Sequence, residues 1–461
     1  MTFIAIDLGT SFIKGAVLHL DTATIKHTHR EPFPAALPGL PPLYKEVAPD
    51  AVLAAVNSLL ATLIPCADAE GGLEGIVMCT QMHGLVLTTA TGEPRSNLTT
   101  WQDQRVLEPH PSGRGTYFDA MVARLNAGQI RQLGNELRPG LPVGVLFMLA
   151  EQGQLPSSAL HLASLPDFVI SHLSGTPPSI EASNAMAHGV LNLETLDWHH
   201  EVIAALGLER LHWPEIKQHG AVVGRLAVGG RTVPCYTPIG DYQAAILGSL
   251  LRYRELSLNI STGSQVSLLR PGPEFGDYQT RPFFDGRYLA AITHIPAGRA
   301  LTALVRLFSE LAEAQGLALS DPWSYVEQAA AAAGPTRMQA NLAFFNSSCG
   351  DHGAFTDVRE EELTIGHVFR AAFQNMTDNY YACARRISPD QEWENLVFSG
   401  GLAQKFPILR DLICDRFNMP FRMCPSAEDT LLGLMALALA FTGRTATVEQ
   451  AAVHLFDTYH E

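Results

Sequence analysis

The chain has 461 residues, with 31 lysines and arginines against 46 aspartates and glutamates, so its formal net charge is −15. This negative balance disfavours a role on nucleic acid or on an anionic membrane surface. At roughly 100–200 residues per domain, the length suffices for two or three domains. A hydrophobic content of 47% supplies their cores, which excludes a disordered or collagen-like chain.

The seven cysteines are odd in number, widely spread and never arranged as Cys-x-x-Cys, so neither a disulfide framework nor a zinc site is predicted. Residues 1–7 have no basic stretch and reach Asp7 after six positions, unlike a signal peptide. The longest apolar run, Leu431 to Phe441, is too short for a bilayer and predicts a buried helix. We therefore expect a cytoplasmic protein.

The first predicted unit is a pair of strands over residues 3–18 around the small-residue turn Gly9-Thr10-Ser11. Such a turn exposes backbone N–H groups with little side-chain bulk, so a phosphate can approach closely. Lys14 would add a positive charge, and Asp7, at the end of a strand, is a hard oxygen ligand suited to Mg²⁺. An ordinary hairpin with turn-favouring residues is the alternative.

Two polar segments in the first half combine an aromatic ring with several hydrogen-bonding groups. They are Gln81-Met82-His83 and Trp101-Gln102-Asp103. An aromatic face packs on sugar carbons while amides and carboxylates satisfy the hydroxyls, so these six residues are candidates for sugar binding. A lone histidine is more often a hydrogen-bonded core residue than a ligand, and this alternative stays open for His83.

Helical periodicity is present at 50–63 and 119–133, and Pro- and Gly-rich loops are predicted at 32–42 and 107–115. Farther on, Asp241 follows a glycine and precedes a run of small residues. It suits a base at the mouth of a cleft or, equally, the N-cap of a helix.

A second unit of two strands around a small-residue turn spans residues 256–269, with Thr262-Gly263 in the turn. It indicates two related halves that meet near residues 245–255. Later a strand runs into Gly400-Gly401, where a flat ring or a ribose could lie against the backbone, or which is simply a tight turn. Helical periodicity at 300–315, 363–385 and 404–417 completes an α/β pattern.

Taken together and in this order, the motifs resemble those of the FGGY family of carbohydrate kinases, over nearly the whole chain. Residues 7–14 look like the family's first phosphate motif and Thr262-Gly263 like its second. Gly400-Gly401 with Gln404, together with residues 428–433, are similar to its adenosine motif. Asp241 stands where the family has its catalytic aspartate.

The resemblance implies an α/β fold of two actin-like (ribonuclease H-like) domains with a cleft between them. Residues 1–248 would form the domain that holds the sugar and the first phosphate motif, and residues 249–461 the domain with the second phosphate and adenosine motifs. The cofactors implied are ATP and Mg²⁺, with Asp241 as the base and Asp7 as the residue that orders the metal. The ATP-binding residues implied are Asp7, Gly9, Thr10, Ser11, Lys14, Thr262, Gly263, Gly400, Gly401 and Gln404.

Within the family, Gln81-Met82-His83-Gly84 is like the kinases of ketopentoses and ketoheptoses and unlike glycerol kinases, which carry an Arg-Glu pair there. The run from Thr100 to Arg105 looks most like the kinases that convert sedoheptulose to sedoheptulose 7-phosphate. Xylulokinases, which usually have Asn in place of Gln102, are the alternative. Residues 341–353 lack the Gly-Glu-Arg often found there.

The same fold superfamily also holds chaperones, filament proteins and sugar-responsive regulators, so a catalytically silent sugar-binding homologue stays open. The partner expected is a small-molecule sugar. Nucleic acid and membrane are not expected, and a homodimer is one assembly open to the chain.

Overall fold

The structure is a computed structural model that describes residues 1–155 and 160–460. Its strands are β1 (Thr2–Leu8), β2 (Phe12–His19), β3 (Thr24–Pro32), β4 (Glu46–Val47), β5 (Leu73–Thr80), β6 (Val86–Thr88), β7 (Leu98–Thr99), β8 (His161–Ala163), β9 (Ser179–Glu181), β10 (Leu191–Asn192), β11 (Asp197–Trp198), β12 (Glu215–Lys217), β13 (Val222–Val228), β14 (Arg231–Tyr236), β15 (Ile239–Gly240), β16 (Glu255–Asn259), β17 (Gly263–Arg270), β18 (Gln279–Pro282), β19 (Tyr288–Pro296), β20 (Gln339–Asn341), β21 (Ala354–Thr356), β22 (Asn395–Ser399) and β23 (Phe421–Met423).

The helices are α1 (Pro49–Ala69), α2 (Tyr117–Val122), α3 (Ala127–Gln132), α4 (Pro142–Glu151), α5 (Leu165–Ser174), α6 (Ala182–Met186), α7 (His200–Ala205), α8 (Asp241–Gly248), α9 (Gly298–Ala314), α10 (Pro322–Ala332), α11 (Ile365–Ile387), α12 (Gly401–Lys405), α13 (Pro407–Phe417), α14 (Asp429–Phe441) and α15 (Val448–His460).

Two large sheets share one strand pattern. In the first, β1 pairs antiparallel with β2 and parallel with β5, and β2 continues to β3. In the second, β16 pairs antiparallel with β17 and parallel with β22, and β17 continues to β19. The expectation of two related halves is therefore confirmed at the level of topology, and each hairpin turn lies beside the central strand of its sheet.

The central strand β1 is buried along its whole length, as a strand covered on both faces must be. Because successive side chains alternate between faces, Ile4 and Ile6 pack in the cluster that contains α1. Phe3 and Ala5 pack on the other face, in the cluster that contains residues of α14 and α15. The C-terminal helices thus cover the first sheet, and the division of the chain at residues 248 and 249 stays a prediction.

Helix α1 is, among the described residues, long and apolar enough to cross a membrane, with 21 residues and a mean hydropathy of 1.6 over 18 of them. The periodicity at 50–63 predicted this helix but not its full length. In the structure Val52, Val56, Leu59 and Leu63 are buried in the cluster that α1 forms with the first sheet. This packing is that of a core helix, and length and composition alone are weak evidence for a membrane span.

Two of the predicted helices are each divided in the structure. The prediction of one helix over 119–133 is wrong, because Asn126 caps a new helix by accepting a hydrogen bond from the Gln129 backbone. The stretch 404–417 also contains two helices, since Pro407 opens the second one. Its predicted apolar face is confirmed, since Phe406, Leu409, Ile413 and Phe417 are all buried.

Helices α8 and α14 cross in backbone contact at two glycines. A Cβ atom on Gly433 would lie 2.0 Å from the carbonyl oxygen of Ala244, and one on Gly248 would lie 1.8 Å from that of Asp429. Only hydrogen fits at these positions. The crossing therefore holds the first residues of both helices, Asp241 and Asp429, at a fixed separation.

We expect Gly433→Ala to lower the free energy of unfolding by roughly 1–3 kcal/mol, because overpacking must push the two backbones apart. Gly272→Ala is the matched control, since nothing lies within 4 Å of its Cβ position. Thermal or urea unfolding of both variants measures the difference. Equal stability of the two would show that the helices can separate at this crossing without cost.

Candidate active site

An open cleft of about 460 Å³ lies where both hairpin turns and the starts of three helices meet. The helices are α8, α12 and α14. Nine of the predicted residues line the cleft: Asp7, Gly9, Thr10, Ser11, Lys14, Asp241, Gly400, Gly401 and Gln404. The cleft therefore collects motifs that are separated by almost 400 positions in the chain.

The second turn lies beside the cleft. Thr262 and Gly263 are exposed, and their neighbours Ser261 and Gln265 line the cleft. The start of α9 holds this turn, because the backbone N–H of Arg299 donates to the Thr262 carbonyl oxygen at 2.8 Å. Gly263 has open space around its Cβ position, so its exposed backbone is free to meet a ligand.

The backbone conformation at residue 400 requires a glycine. Its φ of +87° is in the left-handed region, and a Cβ atom there would lie 2.5 Å from the carbonyl oxygen of Ile260. The chain then enters α12 at Gly401, which has nothing within 4 Å of its Cβ position. The result is a flat, open surface at the rim of the cleft, with Gln404 beside it.

Asp7 lies at the floor of the cleft, with one of its two oxygens satisfied. Its Oδ2 accepts a hydrogen bond from the Thr430 hydroxyl at 2.8 Å and lies 3.9 Å from Lys14 Nζ. Its Oδ1 is buried and has no N–H or O–H donor among the described residues. Burial raises the pKa of this carboxyl. An unpaired buried carboxylate oxygen favours a cation as its partner.

Two more carboxylates share the floor. Burial, followed by the charge of Asp7, raises the pKa of Asp241 to about 7, and burial raises that of Asp429 to about 6. Lys14 lies near them but forms an ion pair with Glu428 at 3.1 Å. Three acids against one shared ammonium leave an excess of negative charge, which a divalent cation would balance.

The residues present therefore fit Mg²⁺ bound through one or two carboxylates with water and phosphate oxygens completing its shell. Within residues 1–155 and 160–460, no group of three or more His, Cys, Asp or Glu side chains forms a ready-made metal site.

The Thr10 hydroxyl connects the first turn to the sugar-binding candidates. The indole N–H of Trp101 donates to Thr10 Oγ1 at 3.1 Å, and Thr10 donates to Gln81 Oε1 at 3.1 Å. Gln81 Nε2 is buried without a partner among the described residues, so it is an unused donor. Met82 is close by, since its sulfur would lie 3.0 Å from a Cβ atom on Gly240, just before Asp241.

The other sugar-binding candidates differ in their surroundings. Gln102 is exposed next to Trp101. His83 is hydrogen-bonded to Arg138 at 2.9 Å. Asp103 is fully engaged, because Arg105 donates to both of its oxygens and the Lys45 backbone N–H donates to Oδ2 at 2.8 Å. These contacts hold the Asp103 carboxylate in place, and its role in sugar binding stays a prediction.

The resemblance includes residues 428–433 in the adenosine motif but gives Asp429 and Thr430 no role of their own, and the sequence did not single out Gln265. The structure places all three on the cleft wall, where Thr430 holds Asp7. Gln265 Oε1 is buried without a partner among the described residues. The motif pointed to the stretch around Asp429 and Thr430 but not to these side chains, because their positions arise from the crossing of α8 and α14 and that of Gln265 from the pairing of β17.

Comparison with known proteins agrees with this geometry. The model of the N-terminal domain of the FGGY family of carbohydrate kinases matches residues 2–248. Human sedoheptulokinase is 24% identical over an alignment that covers 90% of this chain and 93% of that protein.

Solved structures share the fold. The gluconate kinase of Lactobacillus acidophilus superposes with a TM-score of 0.83 at 18% identity, covering 98% of this chain and 92% of that one. The ligand-bound xylulose kinase of the same organism gives a TM-score of 0.82 at 18% identity, with coverages of 98% and 91%. The expected architecture of two actin-like α/β domains is thereby confirmed. The chain belongs to the FGGY family of carbohydrate kinases, phosphotransferases that act on a hydroxyl group of a sugar.

Proposed function

We propose that this kinase transfers the γ-phosphoryl group of ATP to the terminal hydroxyl of a ketose, and that sedoheptulose is its substrate. The observation that carries the proposal is the position of Asp241. Its buried carboxyl lies on the cleft floor with the first phosphate turn, next to the side where Gln81, Met82 and Trp101 gather. A base at this point is within reach of both substrates.

The full-length similarity to human sedoheptulokinase supports sedoheptulose as the substrate. The seven-carbon chain of this sugar also offers many hydroxyls to the unused donors and acceptors of Gln81 and the exposed Gln102. A pentulose such as xylulose is the second candidate, because the Gln81-Met82-His83 segment suits either chain length.

In this mechanism Asp241 accepts the proton of the attacking hydroxyl. A pKa near neutrality suits that task, because the carboxylate can take a proton and release it again. The backbone N–H groups of the two turns, with Lys14, bind the phosphates, and Thr10 holds the first turn against Trp101 and Gln81. Phosphoryl transfer asks a protein mainly for this positioning and charge stabilisation.

Asp7 would hold Mg²⁺, directly or through water, with Asp429 nearby. When bound, the cation neutralises charge that develops on the phosphate oxygens. Lys14 would exchange part of its contact with Glu428 for phosphate oxygens. Gly400, Gly401 and Gln404 would bind the adenosine at the open surface in front of α12.

A coupled assay of ADP release over sedoheptulose, xylulose, ribulose, fructose and glycerol tests the proposal. We expect the highest kcat/KM with sedoheptulose. Absence of ADP release with every ketose, together with measurable sugar binding, would identify the chain as a catalytically silent sugar-binding member of the family.

Replacing the base should affect turnover far more than binding. We expect Asp241→Asn to lower kcat by roughly 10²–10⁴ while KM for ATP stays within about threefold. Asp429→Asn is the matched control, because Asp429 also opens a helix on the cleft floor. It should lower kcat much less. Similar losses in both variants would indicate that negative charge, rather than a base, is what the site needs.

Gly263 provides a clean test of the phosphate-binding turns. A Cβ atom on Gly263 meets no protein atom, whereas one on Gly9 would lie 2.9 Å from the Phe12 carbonyl oxygen. Gly263→Ala should therefore raise KM for ATP by roughly tenfold and leave thermal stability and KM for the sugar unchanged. Unchanged ATP affinity would remove the second turn from the phosphate site.

Gln102 is expected to contribute to sugar choice. Gln102→Asn shortens an exposed side chain by one methylene and should shift the kcat/KM ratio from sedoheptulose toward xylulose by roughly tenfold. Gln104→Asn, two residues away and with its side-chain amide donating to the Asp103 carbonyl oxygen, is the control. A constant ratio, or a wild-type preference for xylulose, would leave the general ketose-kinase proposal and remove sedoheptulose.

A further inference from the structure

Two histidines on the side of Asp241 that is proposed to bind the sugar have an uncommon backbone conformation. His83 has a φ of +70° and His294 a φ of +59°, in the left-handed region that bulky residues rarely adopt. Such conformations persist where surrounding structure holds them and are concentrated at functional sites. His294 is also exposed within β19, whose other eight residues are buried.

A β-bulge places His294 opposite Gln265. In the pairing of β17 with β19, Ser264 lies opposite Ile295 and Val266 opposite Ile292. Thr293 and His294 therefore share one position opposite Gln265, which lines the cleft. Bulges of this kind redirect a side chain and are frequent beside active sites.

A chain of hydrogen bonds fixes the polarity of His294. The buried carboxylate of Glu136 accepts from Gln279 Nε2 at 3.3 Å, so Gln279 Oε1 faces Thr293 and accepts from its hydroxyl at 2.9 Å. With its hydrogen used there, Thr293 Oγ1 can only accept from His294 Nδ1, 2.9 Å away. His294 thus carries its proton on Nδ1 and presents Nε2 as an acceptor.

In His83 the other ring nitrogen, Nε2, is the one whose hydrogen-bond partner is fixed. A guanidinium only donates, so Arg138 Nη2 donates to His83 Nε2 at 2.9 Å, and the proton of His83 is on Nδ1. Burial, followed by the charge of Arg138, holds the pKa of His83 well below its usual value. Although His294 as a whole is exposed, partial burial of its ring, followed by the charges of Arg138 and Arg281, lowers its pKa to about 4. Both rings are therefore neutral, one presenting a donor and the other an acceptor.

The two rings come from different halves of the molecule, and Arg138 lies between them, with its Nη1 3.5 Å from Thr293 Oγ1. Glu136 also ties the halves together, because it accepts from Arg281 Nη2 at 3.1 Å. The guanidinium of Arg281 stacks 4.5 Å above the ring of Tyr242, the residue after Asp241. The network therefore lies beside the base and spans both halves.

We propose that His294 is a specificity-determining residue that binds one hydroxyl of the sugar, remote from the hydroxyl that is phosphorylated, between its own Nε2 and the Nδ1–H of His83. The hydroxyl donates to His294 and accepts from His83. Thr293 and Arg138 are positioning residues that fix the two tautomers. The identity of the ligand as a ketose rests on the proposed function, and the donor–acceptor arrangement rests on the contacts above.

The test pairs one protein change with one change in the substrate. His294→Asn keeps a residue type that tolerates the left-handed backbone and withdraws the imidazole acceptor. We measure kcat/KM for sedoheptulose and xylulose and for their 1-deoxy and 3-deoxy forms. Wild type should lose roughly tenfold or more with the deoxy sugar that lacks the bound hydroxyl. The variant should show about the same kcat/KM for that sugar and its parent, with KM for ATP unchanged.

Two further variants separate recognition from structural damage. His27→Asn makes the same change at another histidine with positive φ, on β3 beside Glu70, and should retain wild-type discrimination. Thr293→Val removes the hydroxyl that accepts from His294, while the Thr293 backbone N–H still donates to Gln279 Oε1. It should reduce the discrimination part of the way, with kcat for the parent sugar nearly retained.

The inference and the proposed function fail in different ways. One outcome is that the wild type phosphorylates ketoses and that the loss of kcat/KM with each deoxy sugar is the same in His294→Asn as in the wild type. The inference is then overturned and the proposed function stands. If wild type phosphorylates no ketose, the proposed function fails, and calorimetric titration of the full chain with the same sugars decides the inference. Weaker sugar binding by His294→Asn, but not by His27→Asn, supports the inference. Equal sugar affinities of the wild type and His294→Asn overturn it.

Discussion

The backbone contact between α8 and α14 determines where the chemistry of this kinase lies. Each helix begins with an aspartate, and the crossing at Gly248 and Gly433 leaves room for hydrogen alone. Because the crossing fixes both helix starts, Asp241 and Asp429 come to the floor of one cleft, facing Asp7 from the central strand of the first sheet. The distance between the halves and the layout of the site are therefore set by the same contact.

Bringing three carboxylates together on the cleft floor has an electrostatic cost, and this cost indicates the kind of ligand that the floor suits. Buried carboxylates close together resist ionisation, so the pKa values of Asp7, Asp241 and Asp429 are all raised. A polyphosphate alone would meet like charge on this floor, and Asp7 Oδ1 has no N–H or O–H donor in the part of the chain that the structure describes. A polyphosphate that carries a divalent cation brings the positive charge that the floor lacks. The site is thus suited to a nucleotide–metal complex rather than to either component by itself.

The positions of the two substrates also depend on shared contacts. The Thr10 hydroxyl belongs to the phosphate turn and yet bonds Trp101 and Gln81 on the sugar side, so a shift of either side moves the other. The network from Glu136 to His294 similarly joins the two halves. Correct alignment of the attacking oxygen and the phosphorus atom is worth several orders of magnitude in rate, and in the proposed mechanism these contacts would supply such alignment.

The α/β class, the two related hairpins, the family resemblance and the choice of Asp241 as the candidate base could all be predicted from the sequence, because these depend on local strand alternation, turn composition and the order of motifs. The sequence did not reveal the cleft role of Asp429, the engagement of Asp103 by Arg105, or the bulge at His294. Those depend on which backbones meet and in which register. A helix crossing at two glycines, or a one-residue bulge between two paired strands, leaves no periodic pattern in the sequence. These features therefore become visible only in the folded chain.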